Sequence, residues 1–162
     1  MTPRQEGFTL VEVLVAMTLL AVSLLGLAMF FPIELRLGTS SQVAGETLRV
    51  AQKELDQIRT HAFEPSGGFT DVDGNTVDVS CSGSPGTSCG NPLTTSGDID
   101  FSQAPAVGFS VQLTDPAGGV YSARWNITVT ASEGKKILLA AKPMNPVGGI
   151  SRVIQLQTLV AQ

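Results

Sequence analysis

From Val13 to Phe31 the chain carries no charged residue, and the preceding Phe8-Thr9-Leu10-Val11 lengthens the apolar stretch to roughly 24 residues, interrupted by Glu12 alone. At about 1.5 Å of rise per helical residue, such a run crosses a hydrocarbon core of about 30 Å. A cleaved secretory signal would need an apolar core of only roughly 7–15 residues and a small-residue cleavage site behind it. Here the chain continues Pro32-Ile33-Glu34-Leu35-Arg36-Leu37, with nothing of that kind. A plain signal anchor fits the length but gives no reason for Glu12. An acidic residue near the centre of a spanning helix costs about 2.5–3.5 kcal/mol on insertion scales, and less toward the interface, so Glu12 either reaches the headgroups or needs a partner.

The 162 residues leave room for this anchor and one head. A net charge of -4 without a clustered basic surface argues against a general nucleic-acid binder, and no nucleic-acid partner is expected. The two cysteines, Cys81 and Cys89, flank a Gly/Ser/Pro-rich stretch with no C-x-x-C spacing and no nearby His. In a segment exported behind an anchor they are expected to form a disulfide that closes a small loop.

The sequence Gly7-Phe8-Thr9-Leu10-Val11-Glu12-Val13-Leu14-Val15-Ala16-Met17 resembles the class III leader junction of type IV pilins and type II secretion pseudopilins. The likeness combines a short hydrophilic leader containing Arg4, a Gly directly before a Phe, and a Glu five positions into the chain that would remain. The resemblance implies a prepilin peptidase that cuts between Gly7 and Phe8 and methylates the new Phe8 amine, while the apolar helix is kept as anchor and later as filament core. It also implies that Glu12 is the assembly carboxylate, tolerated in apolar surroundings because an amine cation lies beside it. The implied partners are the peptidase, an inner-membrane assembly platform, the membrane before assembly, and other pilin or pseudopilin subunits in a hetero-oligomeric filament.

Beyond Pro32 the pattern becomes periodic. Leu37, Ala44, Leu48, Ala51, Leu55 and Ile58 mark one helix face, with Arg49, Lys53, Glu54, Asp56, Gln57 and Arg59 left for water or neighbouring subunits. A helix from Phe8 to about Thr60 would be roughly 80 Å long. Pro32 is expected to kink it or break its hydrogen-bond ladder, with Gly26 and Gly38 as weaker points.

After His61 the composition turns to Gly, Ser, Asp, Thr and Pro. Phe69–Val72 and Thr76–Val79 flank Asp73-Gly74-Asn75 as a hairpin, and a loop runs through the cysteines to about Pro105. Four antiparallel strands follow: Val107, Phe109, Val111 and Leu113 on one face of the first; Tyr121, Ala123, Trp125, Ile127 and Val129 on the next; Lys136 to Ala141; and a last strand presenting Ile150, Ile154, Leu156 and Val160. One apolar helix face and one apolar sheet face need each other. The expected fold is therefore α+β: a long N-terminal helix, transmembrane in its first half, packed by its second half on a four-stranded antiparallel sheet, as the pilin resemblance also implies. The division this reading and the resemblance imply is a cleaved leader 1–7, a membrane and filament-core helix 8–31, an amphipathic half 32–61, a loop region 62–106 with hairpin and disulfide, and a sheet region 107–162.

Enzymatic chemistry is not expected. His61 stands at a helix end without a nucleophile motif, and no cofactor is called for. Asp71, Asp73, Asn75 and Asp78 invite a calcium reading, but Gly74 comes too early for an EF-hand loop, and no metal site is expected. Asn126-Ile127-Thr128 matches a glycosylation sequon by chance within a strand. Arg124, Lys135, Lys136, Lys142 and Arg152 read as solvated strand edges. The expected function is structural: a minor pilin, most similar to the V type, made in the bacterial inner membrane with a cytoplasmic N-terminus and periplasmic head, then assembled into or at the tip of a surface filament for initiation, adhesion or motility. A minor pseudopilin of a type II secretion system is the alternative within that class. An adhesive or DNA-uptake module carried on the pilus tip, acting through the loop from Gly67 to Pro105, is the alternative outside it.

Overall fold

A computed structural model of the chain describes residues 9–64, 67–116, 118–131, 134–145 and 151–161, with backbone alone at 31–37, 39 and 40. The elements in chain order are α1 (Leu10–His61), β1 (Gly68–Thr70), β2 (Thr76–Asp78), β3 (Ser88–Gly90), β4 (Ser110–Thr114), β5 (Val120–Val129), β6 (Lys135–Pro143) and β7 (Ile154–Val160). The class is α+β, and the chain forms two compact units, Met1–Thr39 and Ser40–Gln162.

In the first unit, Leu10–Phe30 is long and apolar enough to cross a membrane. Its two hydroxyl side chains turn back onto their own helix: Thr18 Oγ1 donates to the Val15 carbonyl at 2.8 Å and Ser23 Oγ to that of Leu19 at 2.9 Å. Neither would enter hydrocarbon unpaired. The helix is continuous through Gly26, Pro32 and Gly38. Pro32 has no amide hydrogen, so the bond to the Ala28 carbonyl is missing from the ladder, yet the helix resumes beyond it.

In the second unit the later part of α1 joins one apolar core with the sheet. The buried helix face is Thr47, Val50, Ala51, Glu54 and Ile58, followed by Ala62 just past its end. It is rotated from the expected stripe. Ala51 and Ile58 stand as expected, whereas Leu48 is 36% exposed, Ala44 and Leu55 are half-buried, and Leu37 lies outside the described side chains. Two polar residues hold inward positions instead. Thr47 can do so because its hydroxyl donates to the Val43 carbonyl at 2.6 Å. Glu54, expected to face water or neighbours, is fully buried, and neither carboxylate oxygen has a hydrogen-bond partner.

The sheet is antiparallel throughout and has five strands, one more than expected. β6 pairs one edge of β5 and then β7, while the other edge of β5 is shared end to end by β4 and by β3. The extra strand, β3, is three residues of Ser-Cys-Gly, too short and too small to show alternation. Gly90 closes it at φ 110°, where an added Cβ would lie 2.6 Å from the Trp125 carbonyl oxygen. The alternation expected along β5 is borne out, since Tyr121, Ala123, Trp125 and Ile127 are buried toward α1. Along β7, Ile154, Leu156 and Val160 share a half-buried face, and Ile150 lies outside the described residues. Val107 is a correction: it is 96% exposed, and β4 begins only at Ser110.

The opposite face of the sheet is also covered. Ile99 packs with Leu138 and Ala140, joined by Phe101, in a second small core. Asn91 pins this segment by donating to the Phe109 and Trp125 carbonyls and accepting from the Ala106 amide. Arg124, expected to be solvated, lies 4.6 Å from the Phe101 ring centroid and donates to the Asp100 and Gln103 carbonyls. Lys135 is likewise structural: its amine donates to the Ala62 carbonyl at 2.6 Å and the Val79 carbonyl at 3.2 Å, and burial lowers its pKa. Asn126 of the sequon is buried and holds the Asn91 carbonyl and the Ser88 hydroxyl.

The disulfide Cys81–Cys89 forms as expected, with Cα atoms 5.6 Å apart, and it ties β3 to the segment after β2. Closing so short a loop restrains the unfolded chain by about 2–3 kcal/mol. A Cys81→Ser, Cys89→Ser double variant is expected to lose about that much stability in urea titration, and reductant should shift only the wild type.

Candidate assembly site at the helix N-terminus

Glu12 is held by the start of its own helix. Thr9 stands just ahead of Leu10, the first helical residue, and its Oγ1 accepts from the Glu12 amide at 3.4 Å. Glu12 Oε2 reaches back to accept from the Thr9 amide at 3.1 Å and the Thr9 hydroxyl at 2.9 Å. This is a capping box, Thr-x-x-Glu, in which each end residue satisfies an amide that the helix leaves unpaired. The spacing was legible in Thr9-Leu10-Val11-Glu12 ahead of an apolar run, and the sequence reading passed over it. Negative charge at this end also suits the helix dipole.

Below the carboxylate, Glu12, Val13, Ala16, Met17 and Leu20 line one shallow face. The small Ala16 leaves a dent between Val13, Met17 and Leu20. The arrangement can receive an apolar helix that brings a cation to the level of Glu12. Gly7 and Phe8, the expected cleavage and methylation positions, lie outside the described residues. Pro32 is twenty residues further along and belongs to no site with Glu12, and the cysteines are in the second unit.

Other residues weighed for chemistry are occupied structurally. Asp71 Oδ1 accepts from the Asp73 and Asn75 amides at 2.9 and 2.6 Å, and Oδ2 from the Asn75 side chain at 2.8 Å, which closes the expected β1–β2 turn. His61 Nδ1 lies 2.7 Å from Glu64 Oε1, and its ring stacks on Phe69 at 4.1 Å. No group of three or more acidic, histidine or cysteine side chains among the described residues could hold a metal ion.

An anchor-length apolar helix with a capped acidic start is thus followed by a disulfide-closed α+β head. A family model described as the prokaryotic N-terminal methylation motif matches residues 2–28. The start of the chain therefore carries a prokaryotic N-terminal methylation motif, with Gly7, Phe8 and Glu12 inside the matched span. The motif supports a prepilin of the type IV pilin or pseudopilin kind, and the head lies beyond the match. No curated protein and no solved structure matches the chain.

Proposed function

We propose that this chain is a minor subunit of a bacterial type IV pilus. A prepilin peptidase removes residues 1–7 and methylates Phe8; the span Leu10–Phe30 holds the precursor in the inner membrane, N-terminus cytoplasmic and head periplasmic; and an assembly platform then draws it into the filament beside other subunits. The observation that carries this reading is the position of Glu12, five residues into the chain the motif leaves behind and at the top of an exposed apolar helix face. Stacked helices bury that face, and the amine of a neighbouring Phe8 meets the carboxylate. Pro32, where one ladder bond is missing, is the proposed point of bending during assembly.

The capping box makes the test specific. Glu12→Ala removes both charge and cap, while Glu12→Gln keeps an acceptor for the Thr9 amide and removes only the charge. Both variants should be processed normally, yet fall at least tenfold in the sheared-filament fraction. Normal recovery of Glu12→Gln in filaments would assign Glu12 to capping alone and count against the proposed pairing. Absence of the wild type from surface filaments, with loss of protein secretion on deletion, would place the chain in a secretion pseudopilus instead.

A further inference from the structure

Glu54 is the one fully buried acid in the core of the second unit among the described residues, and its two oxygens have no hydrogen-bond partner. Three residues on, Gln57 Nε2 is also buried without one. Both belong to the stretch of α1 on which the β1–β2 hairpin lies. The hairpin is fastened there from outside. Lys53 Nζ bonds Asp73 Oδ2 at 2.7 Å, Gln57 Oε1 accepts from the Val72 amide at 3.3 Å, and at the far end the His61 ring stacks on Phe69. The base of the hairpin is fixed, with Val77 and Val79 in the main core, while the turn carries the exposed Val72 and is joined to α1 by the Lys53–Asp73 and Gln57–Val72 contacts.

We propose that Glu54 and the β1–β2 turn form a pH-operated strap: with a neutral Glu54 the turn closes on α1, and ionisation of Glu54 releases it. The groups around Glu54 define the direction. From the hairpin come the negative charges of Asp71 and Asp73; from α1 comes Lys53, whose amine is already paired with Asp73. The sheet-side core that packs on this part of α1 includes the apolar Val111, Leu113 and Trp125, and the Tyr121 phenol donates to Asp115. One turn earlier Arg49 is paired with Glu46, and His61 with Glu64. Among the described residues Lys53 is the cation that acts on Glu54, and its amine is already engaged by Asp73; a turn that lifts away would admit water to the carboxylate.

Burial, reinforced by Asp71 and Asp73 and opposed by Lys53, raises the Glu54 pKa from 4.5 to about 7. The closed strap therefore binds the proton more tightly than the open one. Its advantage is complete below the open-state pKa and is lost as pH rises through about 7. The opening constant should grow on the order of tenfold to a hundredfold between pH 5 and pH 8.5.

The test is hydrogen exchange of residues 67–79 in the full-length chain in detergent micelles, with each rate divided by the intrinsic rate at that pH. In the wild type, protection of the Val72 amide, which is bonded across to Gln57 of α1, should fall by that factor across the range. In Glu54→Gln it should stay flat, and so should Glu54→Met, which serves if the amide's unmet donors unfold the first variant. Equal pH dependence in the wild type and either folded variant, or a flat wild-type profile, would overturn the proposal. The result does not depend on the filament reading, because it concerns the head alone.

Discussion

Trp125→Ala is expected to destabilise the head by about 3–5 kcal/mol, a large part of the 5–15 kcal/mol that holds a typical domain together. Trp125 is fully buried in the middle of β5, with its ring centroid 6.2 Å from that of Phe109. Its indole Nε1–H donates to the Asp78 carbonyl at 2.9 Å, which ties the sheet to the base of the β1–β2 hairpin. Truncation would leave a large cavity and also an acceptor without its donor. Trp125→Phe keeps most of the volume and loses the bond, so it should cost considerably less, about 1–2 kcal/mol. Because Trp125 is the sole tryptophan, urea unfolding of both variants is best followed by far-ultraviolet circular dichroism. Equal stability of the alanine variant and the wild type would mean that the core is not centred on β5.

Mild acidification is expected to stabilise the head, against the usual behaviour of paired carboxylates. Glu54 has a folded-state pKa of about 7 against 4.5 for a free side chain, so the folded state binds the extra proton. Stability from this group is full below about pH 4.5 and falls as pH rises through 7. The whole displacement corresponds to roughly 3 kcal/mol. Between pH 7.5 and pH 5 the urea midpoint of the wild type should rise, and that of Glu54→Gln should change far less. A wild-type midpoint that falls over this interval would contradict the burial of an unpaired acid at this position.

Most of the architecture was legible because it is written in runs and periods. The uncharged stretch from Val13 to Phe31 announced the long apolar helix, Asp73-Gly74-Asn75 the hairpin, and the alternation from Tyr121 to Ile127 the central strand. Glu54 departs from the expected exposed position because its charge does not decide its place on the helix. The helix face is set instead by Ala51, Ile58 and a Thr47 whose hydroxyl is satisfied locally, and Glu54 shares that face by spacing. The second small core was missed because residues 91–105 read as loop by composition. The unbroken apolar run Ile137-Leu138-Leu139-Ala140-Ala141 carried the signal, since a strand apolar on both sides is covered on both sides. At the candidate assembly site the expectation rests on the type and order of Gly7, Phe8 and Glu12. The capping box that holds Glu12 in place is written in the Thr9-x-x-Glu12 spacing, a signal separate from the charge of Glu12.

The apolar helix, the capped carboxylate and the matched motif all bear on one proposed event, the making of a new N-terminus at Phe8. Intact-mass and N-terminal peptide mass spectrometry of the protein isolated from its own cells tests this most directly. The mature chain is expected to begin at N-methylated Phe8, without residues 1–7 and with the apolar helix retained. A mature chain still carrying Met1 to Gly7, or one that begins beyond Phe31, would contradict it.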